Sequence, residues 1–106
     1  MPKDVPPIDL HRIRKIQGSF SWIDHRFITD RWLVSLSREA LLLYFFWVTV
    51  GDRHGVSFYS NEKTAAWLKL SIPEILQGRT ELVAHGLLAY RRGVVQVLAL
   101  PEVPDD

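Results

Sequence analysis

Eleven consecutive residues without a charge, Ala40 to Val50, constrain this chain more than any other stretch. They read Ala-Leu-Leu-Leu-Tyr-Phe-Phe-Trp-Val-Thr-Val, and Ser37 just ahead of them can cap a helix. A helix that crosses a bilayer needs roughly 20 apolar residues, so this run is too short to span one. A helix apolar on all sides must instead be covered from several directions by the rest of the chain. The run is therefore expected to form the buried centre of the fold, and Leu43 and Phe46 to lie inside it. A side left uncovered, or the segment before it, is where a homodimer is expected.

The cover downstream of this run can be read from Ser60 to Leu100. A first helix starts behind Ser60 or Asn61, either of which can cap it, and ends near Lys69. Ala65, Leu68 and Leu70 are its expected inward residues. A second helix begins with Ser71-Ile-Pro-Glu74, a capping box in which the Ser71 hydroxyl and the Glu74 carboxylate satisfy reciprocal backbone donors. Pro73 is tolerated there because first-turn N–H groups have no helical acceptor. Ile75, Gly78, Arg79 and Leu82 share one face at three- and four-residue spacing. Gly86 follows where a left-handed C-terminal cap is wanted.

Beyond Gly86 the period changes from helical to alternating. Leu87 to Tyr90 and Val94 to Leu100 are β-prone runs on either side of Arg91-Arg92-Gly93, which predicts a hairpin with a three-residue tip. Ahead of the first helix, Gly51 to Gly55 reads as a turn, and Val56 to Tyr59 as a short strand able to pair with the hairpin.

These residues together resemble the winged helix-turn-helix domain of bacterial transcription regulators and of plasmid or phage replication initiators. The likeness covers Ser37 to Leu100, and its core is Ala65-x-x-Leu68-x-Leu70-Ser71 followed by Ile75, Leu82 and Gly86-Leu87-Leu88. It implies a mainly α fold with a small β-hairpin (α+β), here with an extra N-terminal helix. It also implies that the second helix reads the major groove of double-stranded DNA while the hairpin tip lies beside the backbone. The outward positions of that helix are Ile72, Pro73, Leu76, Gln77, Thr80 and Val83. Gln77 can hydrogen-bond adenine, Thr80 can reach a base or a phosphate, and Ile72 and Leu76 can pack on thymine methyl groups. Arg91 and Arg92 are the expected phosphate contacts of the tip, joined by Lys63 at the start of the first helix. Glu74 and Glu81 would repel phosphates if they pointed the same way. Arg79 stands where the family usually has an aliphatic residue, and its guanidinium is expected to reach a carboxylate. Lys69 takes the turn position often held by glycine.

Upstream, residues 1–20 are a Pro-rich lead carrying the basic run His11-Arg12-Ile13-Arg14-Lys15. Arg12, Arg14 and Lys15 are either a solvated charged tail or an arm on flanking phosphates. Ser21 to Asp24 resembles a helix start with a capping acid. Ile28, Trp32 and Leu36 repeat every four residues, with Phe27 and Leu33 widening the stripe, which predicts an amphipathic helix of about three turns. The domain is expected to run over 21–100, with an acidic tail at 101–106. Of the four tryptophans, Trp47 belongs to the apolar run. Trp22, Trp32 and Trp67 either seal the edges of the small core or form a partner surface, where tryptophan is enriched.

The net charge of +1 is not that of a strongly basic nucleic-acid protein. With no cysteine there is neither a disulfide framework nor thiolate chemistry, which suits a reducing cytoplasm. The lead has no apolar run behind its first lysine, so a signal peptide is not expected. His11, His25, His54 and His85 are scattered without metal spacing, so neither a metal nor another cofactor is expected. Asp52 and His54 are explained by turn chemistry, and no nucleophile stands with a base, so an enzyme is not expected. Three readings follow. One is a DNA-binding regulator or accessory of replication or recombination. Another is a docking module that uses Ile72, Leu76 and the tryptophans to hold a larger nucleic-acid enzyme. The third is a single-strand or RNA-binding accessory.

Overall fold

Residues 5–102 are described by a computed structural model. After a 3-10 turn at Leu10–Arg12 come α1 (Arg26–Thr29), α2 (Trp32–Ser35), α3 (Arg38–Val50), β1 (Val56–Ser57), α4 (Asn61–Leu68), α5 (Ile72–Ala84), β2 (Leu88–Arg91) and β3 (Val94–Val97). Among the described residues the chain is thus α+β, with five α-helices and one three-stranded antiparallel sheet in the order β1-β3-β2.

The apolar run forms α3, and Ser37 starts it: its Oγ accepts from the Ala40 N–H at 3.1 Å. Ala40, Leu43, Tyr44, Phe46 and Trp47 are buried. Its cover is incomplete, because Leu42, Phe45 and Thr49 stay exposed along one stripe. The remaining core comes from Phe27, Trp32 and Leu36 ahead of α3, from Ile75 and Leu82 of α5, from Leu87, Leu88 and Val95 of the hairpin, and from Leu100. Burial of large side chains at roughly 25 cal/mol per Å² makes this contact of α3 with α5 and the sheet the main source of stability. No helix among the described residues is long and apolar enough to cross a membrane.

Ser60 is the cap of α4, accepting from the Lys63 N–H at 3.0 Å. Thr64 is the fully buried residue of that helix, and its hydroxyl donates back to the Ser60 carbonyl at 2.9 Å. Ala65, Leu68 and Leu70, the expected inward residues, are only half-buried. Lys69 closes α4 in the left-handed region at φ 59°. The capping box of α5 is complete: Ser71 Oγ accepts from the Glu74 N–H, and Glu74 Oε1 from the Ser71 N–H at 2.8 Å. At its far end Gly86 has φ 74°, with Leu87 N–H on the Leu82 carbonyl and Gly86 N–H on the Val83 carbonyl. That is the Schellman pattern, for which glycine pays no Cβ penalty.

Several expectations need correction. The N-terminal helix is not continuous: Arg31, at φ 69°, separates α1 from α2. In one unbroken helix Phe27 and Trp32 would point about 140° apart. The break lets both reach the core, where Phe27 stacks on Tyr44 with centroids 4.6 Å apart and Trp32 sets an edge against His85. Ile28 is exposed as a result. Trp32 is 5% exposed, so it is a core residue and not a partner surface. The hairpin tip is shorter than expected: Arg91 pairs with Val94 and only Arg92 and Gly93 form the loop. Their φ values of 48° and 84° fit a two-residue type I′ turn, which matches the twist of the strands. The strand expected over Val56 to Tyr59 stops at Ser57, in register with Gln96 and Val95 of β3.

In the N-terminal lead, residues 5–20 are exposed throughout. At the other end Leu100 is buried and Pro101 half-buried, so residue 101 still touches the domain. Residues 1–4 of the lead and 103–106 of the acidic tail lie outside the described residues.

Candidate functional site

Helix α5 divides cleanly. Ile75, Gly78 and Leu82 are buried, Ile72 is half-buried, and Pro73, Leu76, Gln77, Thr80 and Val83 are exposed. The Thr80 hydroxyl donates to the Leu76 carbonyl at 2.9 Å, so its lone pairs are what it offers outward. Both carboxylates of the helix are occupied internally. Glu74 is held in the capping box. Glu81 takes the Ser37 N–H at 2.8 Å and the Ser37 hydroxyl at 2.6 Å, which ties α5 to the start of α3.

Arg91 and Arg92 are exposed at the end of the hairpin, and the left-handed Arg92 turns the chain there. Lys63 is exposed on α4, with Nζ 5.1 Å from the Trp67 ring centroid and 5.7 Å from that of Tyr59. Tyr59, Trp67 and Phe46 form one aromatic cluster, in which Phe46 meets both other rings edge to face and Tyr59 is tilted against Trp67. Trp67 packs on buried Phe46 yet stays 54% exposed, and Phe58, next to Tyr59 in the chain, is 77% exposed. Trp22 is exposed as well, but in the segment just before α1. Arg12 lies in the 3-10 turn that Asp9 caps through the His11 N–H, and Arg14 and Lys15 follow in extended chain.

Arg79 departs from its expected partner. Its Nη1 donates to Asn61 Oδ1 at 3.0 Å, and the guanidinium carbon stands 3.9 Å from the Tyr90 ring centroid. Among the described residues the one ion pair is Arg26 with Asp24, at 2.9 Å. The Arg26 side chain, and then its N–H, hold the Asp24 carboxyl below the ordinary range. The Asp52 carboxylate is lowered by the N–H groups of Val56 and His54, which it accepts in the turn after α3. Burial raises the Tyr44 hydroxyl. Among the described residues no group of three or more His, Asp or Glu side chains is placed to hold a metal ion.

Sequence reasoning missed the Arg79–Tyr90–Asn61 node and the exposure of Phe58. The first had no local signal: the spacing sets Arg79 on the inward face of α5, but Asn61 and Tyr90 meet it only through tertiary packing. A separate cleft of about 650 Å³ opens between Ser19–Asp24 and the Thr49–Gly55 turn. Of the expected site residues only Trp22 lines it, so it is not part of this surface.

No family model, curated protein or solved structure matches the chain.

Proposed function

We propose that this protein is a small winged-helix protein that binds double-stranded DNA, as a regulator or as an accessory of replication or recombination. One observation carries the reading. Both carboxylates of α5 are engaged within the chain, Glu74 by the Ser71 N–H of the exposed capping box and Glu81 by Ser37 at the start of α3. The outward row Leu76, Gln77, Thr80 and Val83 is therefore uncharged, and the nearest carboxylates of its own helix are already hydrogen-bonded. An α-helix fits the major groove, where an amide can pair with adenine and apolar groups can meet thymine methyls. The order α3, β1, α4, α5, β2, β3 and the sheet order β1-β3-β2 support the reading, because they put a hairpin behind the second helix of the pair. The exposed cations Arg91, Arg92 and Lys63 supply the sequence-independent part of the binding, and Arg12, Arg14 and Lys15 extend it along the backbone.

The exposure of the aromatic side chains Trp67 and Phe58 favours a second reading, a module that docks a larger protein through aromatic anchors. On that reading Ile72 and Leu76 supply further apolar contacts. The two are separated by selecting preferred sequences from a random duplex library and then comparing variants. Under the DNA reading, Gln77→Ala and Thr80→Ala weaken binding to the preferred sequence by about 1–3 kcal/mol and to random duplex far less. Equal loss on all sequences rejects base readout by α5. Absence of duplex binding, with a protein capture abolished by Leu76→Asp or Ile72→Asp, establishes docking instead.

A further inference from the structure

We propose that Arg79 is a preset phosphate clamp, a site for the phosphodiester backbone of nucleic acid between the start of α4, the middle of α5 and strand β2. The inference rests on the DNA reading above and adds the group that grips the backbone beside the reading helix.

Three observations point to it. The guanidinium is fixed at two points, by Nη1 on Asn61 Oδ1 at 3.0 Å and by the Tyr90 ring beneath it at 3.9 Å. Stacking uses the face of the guanidinium and the amide takes one N–H, so most of its five donors remain along the edge. That edge is the part that matches two oxygens of a phosphate.

The charge is also uncompensated. Among the described residues no carboxylate lies within 4.0 Å of Arg79, although Glu62 stands in the first turn of α4 and Glu74 and Glu81 lie on its own helix. Its one hydrogen-bond partner is neutral. Asn61 is the first residue of α4, whose N-terminus carries partial positive charge. A cation held at that end is disfavoured until an anion arrives, and the two positive sources then act together on it.

Position completes the argument. Arg79 adjoins outward Thr80, and Tyr90 adjoins Arg91 at the base of the hairpin tip. The site thus lies between the two elements that the DNA reading sets against the duplex. Fixing a long side chain in one pose costs rotamer entropy in the free protein, and that cost is not incurred again on binding.

The test is a salt titration of fluorescence anisotropy with labelled random-sequence duplex, on wild type, R79Q, R79K and Y90L, each kept well below its melting temperature. Arg79→Gln is expected to lower affinity about tenfold on every sequence and to flatten the log K against log salt slope by about one unit. Arg79→Lys keeps the slope and loses affinity, because a point charge cannot present the fork. Tyr90→Leu releases the guanidinium and also weakens binding at unchanged slope. An unchanged slope in folded R79Q, while R91A/R92A still flattens it, overturns the clamp and leaves Arg79 as a tie between α4 and β2. Should R79Q not fold, wild-type affinity in both R79K and Y90L overturns it equally. Wild type that binds no duplex overturns the DNA reading and the clamp together.

Discussion

Leu43 and Gly78 meet with no room for another methyl group: a Cβ built on Gly78 would stand 2.5 Å from Leu43 Cδ1. The same Cβ would touch the Ala40 nitrogen and the Glu39 carbonyl carbon at 3.4 Å, so α3 and α5 approach each other through the missing side chain. Leu43 is fully buried and has little freedom to move aside. This contact sets how far α5 stands out from the core, and so how its outer row is presented.

Gly78→Ala therefore sets two effects against each other. Alanine gains about 1 kcal/mol of helix propensity, and overpacking costs about 1–3 kcal/mol. We expect overpacking to win, with a net loss on the order of 1 kcal/mol. Leu43→Ala alone should cost about 2–5 kcal/mol as a cavity. Together the two should cost less than their sum, which urea unfolding of the four proteins measures as a coupling energy.

Glu81 joins the outward helix to the central one through Ser37, and this tie is separable from packing. Glu81→Ala removes the acceptor for the Ser37 N–H and hydroxyl. A loss of about 1–3 kcal/mol is expected from the stranded donor, with a native circular dichroism spectrum retained. An undiminished unfolding midpoint would show that water replaces the carboxylate without cost.

Acid sensitivity should have one contribution in the turn after α3. The N–H groups of Val56 and His54 hold the Asp52 carboxyl below its ordinary value of 3.8 in the folded chain. A folded pKa below the unfolded one means stability that is present above the unfolded value. That stability is lost as pH falls through the folded pKa. Asp52→Asn should accordingly flatten the fall of melting temperature below about pH 4. Equal slopes in wild type and variant would contradict this.

The local signals of the fold were legible because each acts over a few residues. Ser37, the Ser71–Glu74 box, Gly86 and the change of period after it marked elements that the structure contains. The break at Arg31 was not legible, since Ile28, Trp32 and Leu36 satisfy helical spacing. It is decided by Phe27 and Trp32 competing for the same core. The burial of Trp32 follows from that break, so a tryptophan that read equally as surface or core became core. For the candidate site, the outward row of α5 could be listed from the inward one. The fate of Glu81 and Arg79 could not, because Ser37, Asn61 and Tyr90 meet them only through tertiary packing.

The basic arm gives a prediction that leaves the fold untouched. Arg12, Arg14 and Lys15 are fully on the surface of the lead. Their joint replacement by alanine should leave the melting temperature within about 1 °C. Affinity for duplex DNA should fall similarly on all sequences, as loss of phosphate contacts requires. Unaltered affinity would make the arm a solvated tail.

The hairpin tip tests the central claim most directly, because Arg91 and Arg92 are exposed and, among the described residues, their side chains take part in no hydrogen bond or ion pair. The measurement is the anisotropy of a labelled duplex with wild type and with Arg91→Ala combined with Arg92→Ala, from low to physiological salt. Binding of double-stranded DNA through α5 and the hairpin predicts weaker binding on every sequence and a log K against log salt slope flatter by about one to two units. An unchanged slope in the double variant would mean that the tip does not touch DNA, and would contradict the account.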